Sequence, residues 1–158
     1  GGIALTPNGA RAYVAAAHSP ATSGDVVVID TATNTVTATI PVDGHPHSVA
    51  VSPNGARAYV TNWDLDGSVW VINTATNTVI KTVEVCDLPS GVAVSPNSSR
   101  VYVTNAAPIG TVSVINATTN TVTETIPVGN SPIGVAVSPN TYLAPAALRR
   151  ASNEKADR

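Results

Sequence analysis

A chain of 158 residues suits one domain with a sizeable core, but this one has no Phe or Met, and aromatic residues make up only 4% of it. Charged residues are 11%; residues 1–140 carry four basic and eight acidic groups, and residues 141–158 carry four basic and two acidic. The larger part therefore lacks the basic stripe that nonspecific nucleic-acid binding needs. No apolar run approaches the roughly 20 residues of a membrane-spanning helix, and the single Cys86 excludes an internal disulfide.

The abundance of Val, Ala and Thr suits pleated sheet, where small and β-branched side chains pack in thin layers. In chain order, the first signal is Thr6-Pro7-Asn8. It returns as Ser-Pro-Asn at Ser52, 46 residues on, and then at Ser95 and Ser138, each a further 43 residues along. A period of this size marks a propeller or solenoid, in which each unit buries its faces against its neighbours. The first unit also carries a three-residue insertion.

The second unit reads most clearly. Ser48-Val49-Ala50-Val51 alternates like a half-buried strand and ends at Ser52-Pro53-Asn54-Gly55, a tight hairpin turn. Strands over 57–62, 68–73 and 78–85 follow, separated by the loop Trp63–Gly67 and the turn Thr74–Asn77. Four short antiparallel strands per repeat describe a propeller blade. Tyr13, Tyr59 and Tyr102 align in register, as do the third strands from Val26, Val69 and Val112 and the turns at Asn34, Asn77 and Asn120. The expected fold is all-β: propeller blades over about 2–42, 47–85 and 90–128, then an orphan innermost strand over 133–138, in an open or incomplete ring. Residues 141–158 lose the alternation and read as a helical or disordered tail. The chain begins in mid-repeat without a starting Met or a signal-like segment, so a truncated fragment of a longer protein is expected.

Tyr59-Val60-Thr61-Asn62, Tyr102-Val103-Thr104-Asn105 and Gly134-Val135-Ala136-Val137-Ser138-Pro139-Asn140 resemble the YVTN β-propeller repeat. The resemblance covers residues 2–140, with Ala15-Ala16 replacing Thr-Asn in the first blade. It implies a surface-layer or periplasmic protein, hence an extracytoplasmic location. The repeat motif is scaffold and brings no catalytic residue.

Binding residues are expected on the rim where each fourth strand connects to the next blade. The connections are Asp43–His47, Cys86–Ser90 and Gly129–Ile133, with Pro46, Pro89 and Pro132 at equivalent positions as repeat architecture. The candidate ligand-binding set is His45, His47, Trp63, Asp64, Asp66, Asp87 and Asn105, with His18 on a loop of the first blade. His45 and His47 do not repeat: Leu88 and Ser90, then Ser131 and Ile133, stand in their places. Neutral imidazoles two apart suit metal ligation, with Asp43, Asp87 or Cys86 as added donors; the competing reading is ordinary loop histidines. Asp64-Leu65-Asp66-Gly67 resembles part of a calcium loop but lacks the third ligand position and the distal Glu. Trp63 reads as a partner anchor or a lid over the blade edge, and Trp70 as a filler between blades.

No nucleophile elbow, phosphate loop or dinucleotide fingerprint is present, and no cofactor is expected. The leading reading is a noncatalytic binding or structural module of a cell-surface or periplasmic protein, contacting protein or carbohydrate through its rim loops. The alternatives are a metal or redox-cofactor-associated propeller subunit, resting on His45 and His47, and single-stranded DNA binding. Further blades, from the parent chain or from an oligomer, are also expected partners, because closed propellers typically need about 4–8 blades.

Overall fold

The structure, a computed structural model, describes residues 1–18 and 23–138. Among them are twelve strands and no helix. The first sheet runs β1 (Ile3–Leu5), β2 (Arg11–Ala17), β3 (Ser23–Asp30) and β4 (Thr35–Asp43). The second runs β5 (Pro46–Val51), β6 (Arg57–Asn62), β7 (Ser68–Asn73) and β8 (Thr78–Glu84). The third runs β9 (Pro89–Val94), β10 (Arg100–Asn105), β11 (Thr111–Asn116) and β12 (Thr121–Pro127). Each sheet is antiparallel with its strands in chain order. The strands that meet between sheets are mainly β1, β2, β5, β6 and β9, so the first strand of each sheet is innermost and the three sheets form an unclosed arc.

The Ser-Pro-Asn turns work through side-chain oxygens. The Ser52 hydroxyl accepts from Arg57 N at 3.0 Å and donates to Asn54 Oδ1, which also accepts from Ala56 N at 3.0 Å. Gly55 completes the bend at φ 72°, a left-handed conformation that costs glycine little. Thr6 with Asn8, and Ser95 with Asn97, repeat these bonds. At the β3–β4 type of turn, Asp30, Asn73 and Asn116 accept from backbone N–H groups two and three residues on. Asn34, Asn77 and Asn120 follow at φ 55°, 53° and 54°, conformations asparagine tolerates better than most residues.

The core lies between sheets. Tyr13, Ala15, Val26 and Val28 of the first sheet pack on Val49, Ala58, Val60, Trp70 and Ile72 of the second. Tyr59, Val69, Val71 and Val83 of the second pack on Val92, Val94, Val101, Val103 and Ile115 of the third. Each fully buried Val or Ile contributes about 1.5–3 kcal/mol, so stability is spread over many small contacts. Trp70 sits in the first junction, as expected of a bulky side chain at the repeat position that Val27 and Ser113 hold in the other sheets.

One element differs from expectation. Residues 133–138 are not a strand, because a ladder there needs a second strand from beyond residue 140, outside the described residues. The segment is nevertheless anchored: the Ile133 carbonyl accepts from Ser90 Oγ at 2.6 Å and Thr104 Oγ1 at 3.2 Å. The expected tail, 141–158, also lies outside the described residues.

Candidate functional site

The β4–β5 connection turns at Gly44, φ 90°, where a Cβ would lie 2.5 Å from Asn62 Oδ1. That close approach lets His45 N donate to Asn62 Oδ1 at 2.8 Å and Trp63 N donate to the His45 carbonyl at 2.8 Å. Leu88 N in turn donates to the Asp64 carbonyl, and Ala106 N to the Leu88 carbonyl, both at 2.9 Å. Connections between sheets and loops within them therefore share one rim.

On this rim the His47 and Trp63 rings lie 4.6 Å apart and tilted, both half-buried. His47 Nδ1 is 3.2 Å from the Ser90 carbonyl, which fixes the ring toward the third sheet. Leu65, Ile109 and Ile133 stand out on the same rim at 68%, 84% and 71% exposure. Asp43, Asp64, Asp66 and Asp87 are exposed around them. His45 is half-buried beside Trp63, joined to it through the backbone. Asp64 Oδ1 accepts from Leu65 N, which holds its carboxylate within its own loop.

Asn105 is placed differently from a surface ligand. It is fully buried, its amide donating to Thr111 Oγ1 and Ser113 Oγ, both at 2.9 Å. Its Oδ1 has no partner among the described residues, because Leu88 N, at the position of His45, turns to Asp64 instead. His18 pairs with Asp25 at 2.9 Å on the insertion-bearing loop. Among the described residues no group of three or more His, Cys, Asp or Glu side chains is arranged to hold a metal ion.

The sequence reading missed the opposite rim. There Arg11 donates to the Thr74 carbonyl of the next sheet at 2.8 Å, while Tyr13 hydroxyl donates to Asn77 Oδ1 at 2.8 Å. One repeat later, Arg57 donates to the Ala117 carbonyl and to Asn120 Oδ1. Burial raises the Tyr13 pKa above its ordinary value, and the Arg11 charge and hydrogen bond oppose that rise. Two clefts of 280 and 230 Å³ open over these arginines at successive junctions. The signal was visible: Arg11, Arg57 and Arg100 recur in register two residues before each tyrosine. Arg11 and Arg57 fasten each sheet to the next.

The same architecture recurs in known structures. The chain matches Kuenenia stuttgartiensis hydrazine synthase with a TM-score of 0.79 and 28% identity over 88% of this chain and 39% of that one. It matches the RRP9 WD40 repeats with a TM-score of 0.71 and 18% identity over 82% of this chain and 39% of that one. A functionally unknown protein from Desulfotomaculum acetoxidans DSM 771 gives 0.72 and 16%, over 87% and 45%. The fold is that of β-propeller blades. This chain spans about two fifths of the length of these structures, 39–45%. No family model and no curated protein matches it.

Proposed function

We propose that the chain is a noncatalytic interaction module that docks a protein partner on the rim carrying Trp63. The observation behind this reading is the Trp63–His47 pair on a rim whose loops also carry exposed Leu65, Ile109 and Ile133. Half-buried aromatic anchors beside exposed aliphatic side chains are the usual centre of protein contacts. The surrounding Asp43, Asp64, Asp66 and Asp87 favour a partner whose apolar side chains sit in a basic surround. The WD40-type architecture of the RRP9 repeats supports the fold of such a module. The surface or periplasmic location implied by the repeat resemblance belongs to the same proposal, and carbohydrate is the other ligand class a tryptophan rim accepts.

The likeness to hydrazine synthase supports an enzyme-associated part as the second reading, but among the described residues the histidines that would serve it gather no third donor. A photo-crosslinker placed at Leu65 tests the rim, with one at Val36 on the outer strand β4 as control. A partner captured at Leu65, displaced by unlabelled protein and lost in Trp63→Ala, is the expected result. Equal capture at both positions, or none at Leu65, overturns the reading.

A further inference from the structure

The two internal junctions repeat one pattern with three differences, and all three fall around the cleft of 230 Å³ over Arg57. The first difference is in charge. Arg11 faces Asp30 across the β2–β3 ladder, whereas Arg57 faces Asn73 across β6–β7. Arg57 is half-buried, and among the described residues no carboxylate lies within ion-pair distance of it. Its Nη1 is engaged by the Ala117 carbonyl and by Asn120 Oδ1, the latter at 3.1 Å, and its Nε–Nη2 edge makes no hydrogen bond among the described residues. That edge carries two parallel N–H donors, a spacing that matches the two oxygens of a carboxylate.

The second difference frees a hydroxyl. Tyr13 donates to Asn77 Oδ1 at 2.8 Å, but Asn120 Oδ1, the equivalent acceptor for Tyr59, accepts from Arg57 instead. Tyr59 is 1% exposed and lines the cleft, and its hydroxyl has no partner among the described residues. A tyrosine buried this far ordinarily finds one. The third difference adds a hydroxyl. Ser98 stands where the second sheet has Gly55 and keeps its left-handed backbone, φ 58° against 72°, a conformation that costs serine more than glycine. Ser98 Oγ lies in the cleft wall and accepts from Asn54 N at 3.2 Å, which leaves its own proton for a further acceptor. We propose that this cleft binds a carboxylate, held by the Nε–Nη2 edge of Arg57 and the hydroxyls of Tyr59 and Ser98. A carboxylate fits better than a doubly charged phosphate, because Arg57 is the one basic residue in the lining. Every lining residue belongs to the second or third sheet or to their turns, so the site is built inside a junction the chain itself completes.

Titration of the isotope-labelled full chain with sodium acetate, at ionic strength held constant with chloride, tests this through the Nε–Hε nuclear magnetic resonance signals of its arginines. A saturating shift at Arg57 with Arg11 unmoved is expected. Tyr59→Phe is expected to weaken acetate binding about tenfold, the worth of one hydrogen bond to a charged group. N-acetylalanine in place of acetate tells the sources apart: tighter binding than acetate assigns a peptide end, and equal binding assigns a free acid. Arg11 and Arg57 shifting alike, no saturation, tighter binding of phosphate than of acetate, or a Tyr59→Phe chain that binds acetate as the wild type does overturns the proposal. So does a Tyr59→Phe chain that melts below Tyr13→Phe, which loses the bond to Asn77, since the Tyr59 hydroxyl would then be held within the fold.

Discussion

Thr61 holds one buried hydroxyl against groups from two sheets, and Thr104 holds one between its own sheet and the segment that follows it. Thr61 Oγ1 accepts from Ser48 N at 2.9 Å and donates to the Ser90 carbonyl at 3.1 Å; Thr104 Oγ1 does the same for Gly91 N and the Ile133 carbonyl. The ladders lose register at these places, between Pro46 and Val49 and between Val103 and Asn105, so the hydroxyl serves an N–H that the neighbouring strand cannot. Thr61→Val keeps the shape and strands a donor and an acceptor, at an expected cost of about 1–3 kcal/mol in urea unfolding, which Thr61→Ser restores in part. A cost below a few tenths would show the hydroxyl to be incidental. Asp30 gives a pH prediction. Thr33 N–H, then the Thr33 hydroxyl and Ala32 N–H, favour its charged form and lower its pKa from the ordinary 3.8. The stability it adds is present above that value and is lost as the pH falls through the lowered pKa. Asp30→Asn, which copies Asn73 and Asn116, should flatten the acid limb of a stability–pH curve; an unchanged limb would remove Asp30 from the account.

At the scale of strands and turns, much was written in the residue pattern. β6 and β7 begin and end where alternation and the flanking Ser-Pro-Asn and Thr-Ala-Thr-Asn turns place them, since local side-chain bonds fix both boundaries. The bulges between Val28 and Ile29, Val71 and Ile72, and Val114 and Ile115 were not legible, because an extra residue in a regular alternation shifts register without changing composition. Residues 133–138 show the same limit from the other side: their sequence is a strand's, but among the described residues they have no strand to pair with. The turns themselves are not equivalent despite equal sequence. Asn77 Oδ1 accepts the buried Tyr13 hydroxyl from the preceding sheet, while Asn34 has no such donor among the described residues. Asn77→Gly should therefore cost about 1 kcal/mol more than Asn34→Gly, the Thr74 carbonyl at 3.4 Å giving Tyr13 a weaker fallback. Equal melting shifts for the two variants would mean that the staple adds nothing.

For the whole molecule, position in the arc decides what a repeated residue is worth. The rim was legible because loop connectivity alone brings Asp43–His47 beside Trp63, and the backbone bonds there confirm that they meet. Asn105 was not, because alternation over Tyr102–Asn105 does not say that the strand's last side chain turns inward onto Thr111 and Ser113. The arginine staples repeat plainly, yet their purpose emerges only when one sheet is set against the next. A chain of nearest-neighbour junctions makes stability a sum of sheet and interface contributions. Ile72 is fully buried in the first junction, and Ile29, its equivalent in the first sheet, is half-buried at an open end. Ile72→Ala should cost about 2–5 kcal/mol at any protein concentration. Ile29→Ala should cost clearly less, since that side chain is only half-buried. Thermal unfolding of both variants reads the difference directly, and equal costs would show that position in the arc does not set what a repeated residue is worth.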